Sequence, residues 1–466
     1  MNYPATATIA SHVETDFAEL RDSIAGDVYA PGDEGYEQAR LAWNLFVDQR
    51  PAVIVMPESA VDVVKAVRFA RRHGLRIAPQ GTGHGSSSVE GLEGAMLLKT
   101  TRMRRVDIYP ASRTARAEAG TEWQDVTVPA AEHGLAALAG SSPDVGVAGY
   151  TLGGGMGWLA RRYGLAANSV TAVEIVTPDG RLVRADAENE PDLFWAVRGG
   201  GGQVGIVTAI EMALYPVREV YAGTLFFPIE RSSEVLHAWR EWTDTVPDEV
   251  TSVGRILQFP PIPDLPDFLR GQSYVVVEAA YLGDEFEGAE LIRPLRELGP
   301  QIDTFAMIPA PALQDLHMDP PEPVPGQGDG TFLADFPAGA VDALVAAAGP
   351  DSGSPLLSVE VRHCGGAMAA GGTDGAQSKI DAQYMVFGVG ITPTPEIGEA
   401  VRSHVRVLLD TLAPWTSEHG YYNLAEMPAG ADEVLPGDSY ARLREIKAKY
   451  DPSEMIISAH PVRPAR

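Results

Sequence analysis

Apolar and polar residues along this chain follow two different rhythms. From residue 51 onward, short apolar runs take turns with helical periodicities. Residues 52–56 form an apolar run that reads as a strand. Ser59 can cap a helix whose apolar positions Val63, Val64, Val67 and Ala70 share one face, and Gly74 stops it. Residues 75–78 read as a second strand that runs straight into a glycine-rich loop. Further strands are expected near 95–99, 106–109 and 114–119, with a helix over 123–133. Residues 170–177 and 181–184 flank Pro178-Asp179-Gly180, a hairpin signal. A short helix at 192–197 and a long strand at 205–216 follow. After about Val217 the strands lengthen and alternate, at 221–227, 273–281, 356–363 and 384–391. Two amphipathic helices, near 232–245 and 285–298, lie between them, which predicts an antiparallel sheet with helices on one face. The proline-rich residues 309–330 read as a surface loop or as a lid near a pocket. A short strand is expected from Tyr421 and a helix over 439–450. No internal repeat is apparent.

Composition narrows the function. At 466 residues two domains are the default. With 63 Asp plus Glu against 36 Lys plus Arg, the net charge is −27, which argues against nucleic-acid binding and against docking on anionic membranes. A single cysteine excludes an internal disulfide and a Cys-rich metal site, and no metal site is expected. The first 17 residues lack the basic and apolar regions of a secretory signal, and no apolar window of about 18 residues occurs. These absences favour a cytoplasmic protein.

Two glycine-rich loops, about 60 residues apart, carry the candidate chemistry. The first is Gly81-Thr82-Gly83-His84-Gly85-Ser86. The second spans residues 140–158 and holds seven glycines. A Walker A loop is excluded because no Gly-Lys pair occurs. Gly200, Gly202 and Gly205 match a dinucleotide fingerprint, but the run is expected to follow a helix and open a strand, the reverse of the required context. Gly-x-Ser-x-Gly and His-Glu-x-x-His are absent. Paired loops of small residues between strands can hold an extended dinucleotide from both sides, with the backbone close to the pyrophosphate. His84, flanked by glycines, reads either as a ligand-facing residue or as an exposed turn histidine.

The first loop, residues 145–157, residues 199–207, Tyr421-Tyr422-Asn423 and the C-terminal pattern Tyr440, Leu443, Lys447, Tyr450-Asp451-Pro452 and His460-Pro461 together resemble the berberine-bridge-enzyme-like oxidases. These belong to the vanillyl-alcohol-oxidase, or p-cresol methylhydroxylase (PCMH)-type, flavoproteins. The resemblance covers nearly the whole chain, in family order. It implies an α+β fold of two domains: an FAD-binding domain at 1–216, to which 420–466 return, and a substrate-binding domain at 217–419 built on an antiparallel sheet covered by helices. It also implies FAD held by Gly81, Thr82, Gly83, His84, Gly85, Ser86, Gly140, Ser141, Ser142, Gly146, Gly149, Gly153, Gly155, Gly205, Val207 and Asn423. His84 stands where the family attaches the flavin covalently. Ser142 stands where many members carry a second, cysteinyl attachment, so a single covalent link is expected.

The resemblance further implies an oxidase that moves a hydride from an alcohol or amine of a small molecule to flavin N5 and reduces O2 to H2O2. Val145 falls at the position over the oxygen-reacting edge, where a small branched residue resembles oxidases. Strand alternation would put Tyr421 and Asn423 on one face, and the family pattern makes Tyr421 a base or proton relay. Alternation also puts Glu360 and Arg362 on one face of an otherwise apolar strand, either a pocket wall with a polar floor or a solvent-facing ion pair. Alternatives are a dehydrogenase or flavin-dependent oxygenase tailoring a secondary metabolite, and a flavin-carrying binding protein without turnover. The expected partners are the substrate and O2, in a monomer or homodimer.

Overall fold

Three sheets order the chain in the computed structural model, which describes residues 16–261, 263, 267 and 269–466. The signal-peptide reading of the N-terminus rests almost wholly on residues 1–15, outside the described residues. In the first sheet Val53–Met56, Met96–Lys99 and Ile77–Gln80 pair in parallel, with Asp27–Tyr29 antiparallel at one edge. Parallel neighbours need a crossover, and helix Ala60–His73 provides it. Ser59 accepts from the Asp62 amide at its start, and Gly74 takes φ +67° at its end. Its face of Val63, Ala66, Val67, Phe69 and Ala70 is buried against the sheet.

The second sheet is antiparallel, in the order Val106–Tyr109, Thr114–Glu118, Ile206–Ala213, Val170–Val176, Leu182–Ala185. Helix Pro191–Val197 precedes the 199–205 glycine run, which opens into strand Ile206–Ala213. That context is the one on which the dinucleotide fingerprint was excluded.

The third sheet has eight strands and is antiparallel throughout its pairings. Strand Glu219–Pro228, helix Ser232–Thr243, strands Val250–Gln258 and Ser273–Tyr281 and helix Glu285–Arg296 form a β-α-β-β-α unit. Strand Gly326–Leu333, helix Ala338–Ala348, strands Ser358–His363 and Tyr384–Ile391 and helix Pro395–Leu412 repeat it. The two units join where Val250–Gln258 pairs Ser358–His363, so a structural repeat exists that no sequence period announces. Strand Val250–Gln258 and helices Ala338–Ala348 and Pro395–Leu412 were not foreseen. All four helices bury one sheet face, which includes Val275, Val277, Val359, Val361 and Val386. The opposite face carries Arg255, Glu278, Glu360 and Arg362, a consequence of strand alternation.

Residues 309–330 are neither a plain surface loop nor a separate lid. A 3-10 turn at Ala310–Asp315 leads to buried His317, and the segment ends inside strand Gly326–Leu333. The strand expected from Tyr421 is instead a turn. The Leu424 and Ala425 amides both donate to the Tyr421 carbonyl, at 3.0 and 2.9 Å, which curls the chain out of extended geometry. The C-terminal segment then returns to the first sheet, where the Ile77 amide donates to the Met455 carbonyl and the Ile457 amide donates to the Ile77 carbonyl. Lys447, 2% exposed, locks this return by donating to Asp451 at 2.7 Å and to the Gln203 carbonyl at 2.6 Å.

Asp329 and Glu426 form a half-buried carboxyl pair, joined where the Glu426 amide donates to Asp329 at 3.1 Å. Burial raises Asp329 from 3.8 to about 6, against three backbone donors. Burial, then the Asp329 charge, raises Glu426 from 4.5 to about 7. Both groups hold a proton more tightly folded than unfolded. Their contribution to stability is therefore complete below about pH 4 and is lost as pH rises through 6 to 7. Thermal unfolding should show stability falling by on the order of 3 kcal/mol across this window. Asp329→Asn with Glu426→Gln should flatten that slope, and an unchanged slope would contradict the assignment.

Candidate active site

The two glycine loops meet. A β-carbon at Gly146 would lie 3.4 Å from Thr82 Oγ1, while Gly85 and Gly149 are exposed and a β-carbon there would meet nothing within 4 Å. Gly202, in the third glycine run, is open in the same way. Around this cleft the buried polar atoms His84 Nε2, Ser86 Oγ, Ser87 Oγ and Thr151 Oγ1 have no partner among the described residues. Open glycines beside orphaned donors and acceptors are what a cleft shaped for a polar, extended ligand requires.

His84 is tightly placed. Its ring stacks on Trp43, with centroids 4.1 Å apart and planes at 18°. Nδ1 lies 2.8 Å from Thr82 Oγ1, and Nε2 lies 3.7 Å from Asp144 Oδ2. Asp144 accepts from Trp43 Nε1 at 2.5 Å and from Ser142 Oγ at 2.8 Å. Burial pushes its carboxyl up, but His84, Ser142 and Trp43 outweigh that and hold it below the usual range. Ser142 is thus engaged by Asp144, and Ser141 donates to Asp319 at 3.1 Å. Cys364 is buried, and its thiol is pushed up to about 12.

The other predicted glycines are held by protein contacts. A β-carbon would strike the Tyr150 ring from Gly140 or Gly155, Asn423 Oδ1 from Gly153, and the Val176 carbonyl from Gly205. Gly83, at φ +91°, lies against Ala42. Val207 is buried opposite Ile175 in the second sheet, and the Val145 carbonyl accepts from the Trp123 amide. Asn423 donates to the Tyr150 carbonyl at 2.9 Å.

Tyr421 is 1% exposed, and its hydroxyl has no partner among the described residues. A β-carbon at Gly154 would lie 3.4 Å from that hydroxyl. Burial raises it far above the usual range, against a lowering by Arg362. Tyr150, absent from the expected site, is its companion: its hydroxyl is also buried and unpartnered, and burial, then Tyr421, raises it while Arg362 lowers it.

Glu360 and Arg362 do share the face away from the helices, and they belong to a larger buried chain. Arg362 Nε donates to Glu360 Oε1 at 2.7 Å. His317 puts Nε2 2.5 Å from Glu360 and Nδ1 2.5 Å from Glu278. Arg255 Nη1 lies 3.3 Å from Glu278 and donates to the His317 carbonyl at 2.6 Å. Burial and Arg255 disfavour the imidazolium, yet the two carboxylates prevail and raise His317 to about 9. Burial raises Glu360, but Arg362 and His317 hold it far below the carboxylate range. His317, Glu278 and Arg255 were not foreseen. A lone charge inside an apolar strand, as at Arg255 and Glu278, was the available signal. His363 faces Arg161 at 3.1 Å and is pushed down to about 3 by burial, then by Arg161. No group of three or more His, Cys, Asp or Glu among the described residues could hold a metal, and no described helix is long and apolar enough to cross a membrane.

Comparison with known proteins points to flavin-dependent redox chemistry. The family described as an FAD binding domain matches residues 51–186. An FAD-linked oxidoreductase of Dictyostelium discoideum is 27% identical over 462 residues, 98% of each chain. (R)-6-hydroxynicotine oxidase of Paenarthrobacter nicotinovorans is 37% identical over 202 residues, 43% of this chain and 44% of that one. The structure of Physcomitrella patens BBE-like 1 superposes with a TM-score of 0.83 at 21% identity, over 97% of this chain and all of that one. The chain thus carries an FAD binding domain over residues 51–186, is similar over nearly its whole length to an FAD-linked oxidoreductase, and has the fold of the berberine-bridge-enzyme-like flavoproteins.

Proposed function

We propose that the protein is an oxidase with one covalent flavin bond, through His84, acting on an alcohol or amine of a small molecule and passing the electrons to O2 as H2O2. The observation that carries this reading is the setting of His84: inside the glycine loop, stacked on Trp43, with Nδ1 against Thr82 and Nε2 buried and unpartnered. A neutral ring whose Nδ1–H faces Thr82 leaves Nε2 as the free nucleophile. Asp144, kept ionised, lies 3.7 Å from Nε2 and can hold the proton of a protonated ring. Ser142 is a hydroxyl already committed to Asp144, and the buried Cys364 thiol is inert at neutral pH, so one attachment is favoured.

Bound FAD supplies the hydride acceptor, and the chain must supply the proton path. Within the proposed site, residues up to 216 and 420–466 make the flavin half, and 217–419 make the substrate half. Tyr421 is a neutral phenol at working pH, so it is not a standing base: it would first release its own proton to solvent water, with Arg362 stabilising the phenolate, and the proton taken from the substrate would then restore the phenol. Glu360 has both oxygens occupied, so its role is to hold Arg362 in place. Met156 and Met368, which share one buried apolar cluster with Tyr421, would keep water from competing for the proton.

Oxidase activity is favoured by the small side chain of Val145 and by the oxidase chemistry named for the nicotine-oxidising relative. Enzyme reduced with dithionite without oxygen and then mixed with aerated buffer should reoxidise within seconds and yield peroxide. Reduced flavin that survives for minutes in air would favour a dehydrogenase. A product that incorporates oxygen would favour the oxygenase alternative.

A further inference from the structure

The buried charges have an unused end. Along the hydrogen-bonded chain Arg255–Glu278–His317–Glu360–Arg362 there are three cations, with His317 protonated, and two carboxylates. Arg362 stands at one end of that chain. Its Nε is committed to Glu360, but neither terminal nitrogen has a partner among the described residues. Arg362 is 17% exposed, and it lines a cavity with Ser141, Met156, Trp158, Val253 and Met368. The nearby Tyr150 and Tyr421 hydroxyls are buried without partners, and Arg362 lowers the pKa of both. The guanidinium fork is therefore a pair of donors without an acceptor in a cavity whose wall combines Met156, Trp158, Val253 and Met368 with the smaller polar side chains Ser141, Thr251 and Ser252. Asp319 acts on both His317 and Arg362 without a hydrogen bond to either, and it accepts from Ser141.

We propose that Arg362 binds a carboxylate on the substrate, so that this enzyme oxidises small organic acids with an apolar or aromatic body. The proposal rests on the oxidase reading above and narrows its substrate class. A planar guanidinium matches a carboxylate through two parallel hydrogen bonds, a geometry a neutral amide reproduces poorly. Glu360 and His317 then act as positioning residues: they fix Nε so that the two terminal nitrogens face the cavity. The step needs no reactant beyond those of the oxidase reaction, because the carboxylate only anchors the molecule.

The test uses flavin-loaded enzyme at pH 7 and two probes of the same shape, benzoate and benzamide, titrated against the flavin absorption spectrum. Benzoate should perturb the spectrum saturably and bind at least about tenfold more tightly than benzamide. Arg362→Gln should weaken benzoate at least about tenfold and leave benzamide unchanged. Because that variant strands the Glu360 charge, Glu360→Gln with Arg362→Gln is titrated beside it, and the comparison of the two probes on unaltered enzyme needs no variant. Equal affinity for both probes, no benzoate binding, or benzoate affinity retained in the variants would overturn the proposal. Rapid reoxidation by O2 is read without any substrate, so failure here leaves the oxidase reading standing, and its failure is recognised separately.

Discussion

Replacing Tyr421 by phenylalanine is expected to slow anaerobic flavin reduction by roughly 10²–10⁴-fold, the usual contribution of a positioned proton-transfer group. Flavin content should not change. The substitution keeps the ring, which packs 5.4 Å from Phe332 and against Gly154, and removes only a hydroxyl without a hydrogen-bond partner among the described residues. Loss of an unpartnered buried hydroxyl costs little stability, so a slow variant cannot be blamed on unfolding. Stopped-flow mixing with a turnover substrate under argon reads the reduction step alone. Reduction at the unaltered rate would remove Tyr421 from the chemistry and leave it a core aromatic.

His84→Ala should convert all retained flavin to an acid-extractable form. The ring supplies the only unpartnered buried histidine nitrogen within the first glycine loop. Its removal also takes away the stack on Trp43 and the contact with Thr82 Oγ1. Asp144 keeps Trp43 and Ser142, so the loop should stay folded and still bind FAD without a bond. A covalent link raises the oxidising power of the flavin, so the variant should show a lower midpoint potential and slower turnover. Acid-stable flavin in His84→Ala would mean that another residue holds it.

The first two sheets were largely legible because their signals are local. Ser59 and Gly74 bracket one helix, and Pro178-Asp179-Gly180 fixes a hairpin with Gly180 at φ +80°. Over the third sheet, helix Ala338–Ala348 escaped because alanine and valine surround it instead of forming a stripe. Strand Val250–Gln258 escaped because Gly254 and Arg255 interrupt its apolar run. Thr394 before Pro395 was a readable helix start that went unused. At the site, alternation alone gave the shared face of Glu360 and Arg362. It could not give His317, which reaches Glu278 and Glu360 across 39 and 43 residues of chain. Nor could it give the meeting of His84 with Asp144, since the strength of both contacts depends on burial that only the tertiary fold creates. The Tyr421 turn misled because three polar and aromatic residues alternate like a strand, while the backbone curls to dock Asn423 on Tyr150.

The central claim is a single flavin bond at His84, and proteolysis of denatured holoenzyme followed by mass spectrometry tests it most directly. The account predicts that the peptide containing His84 carries the added mass of one FAD, while the peptides containing Ser142 and Cys364 are unmodified. FAD recovered in the acid supernatant beside an unmodified His84 peptide would contradict it.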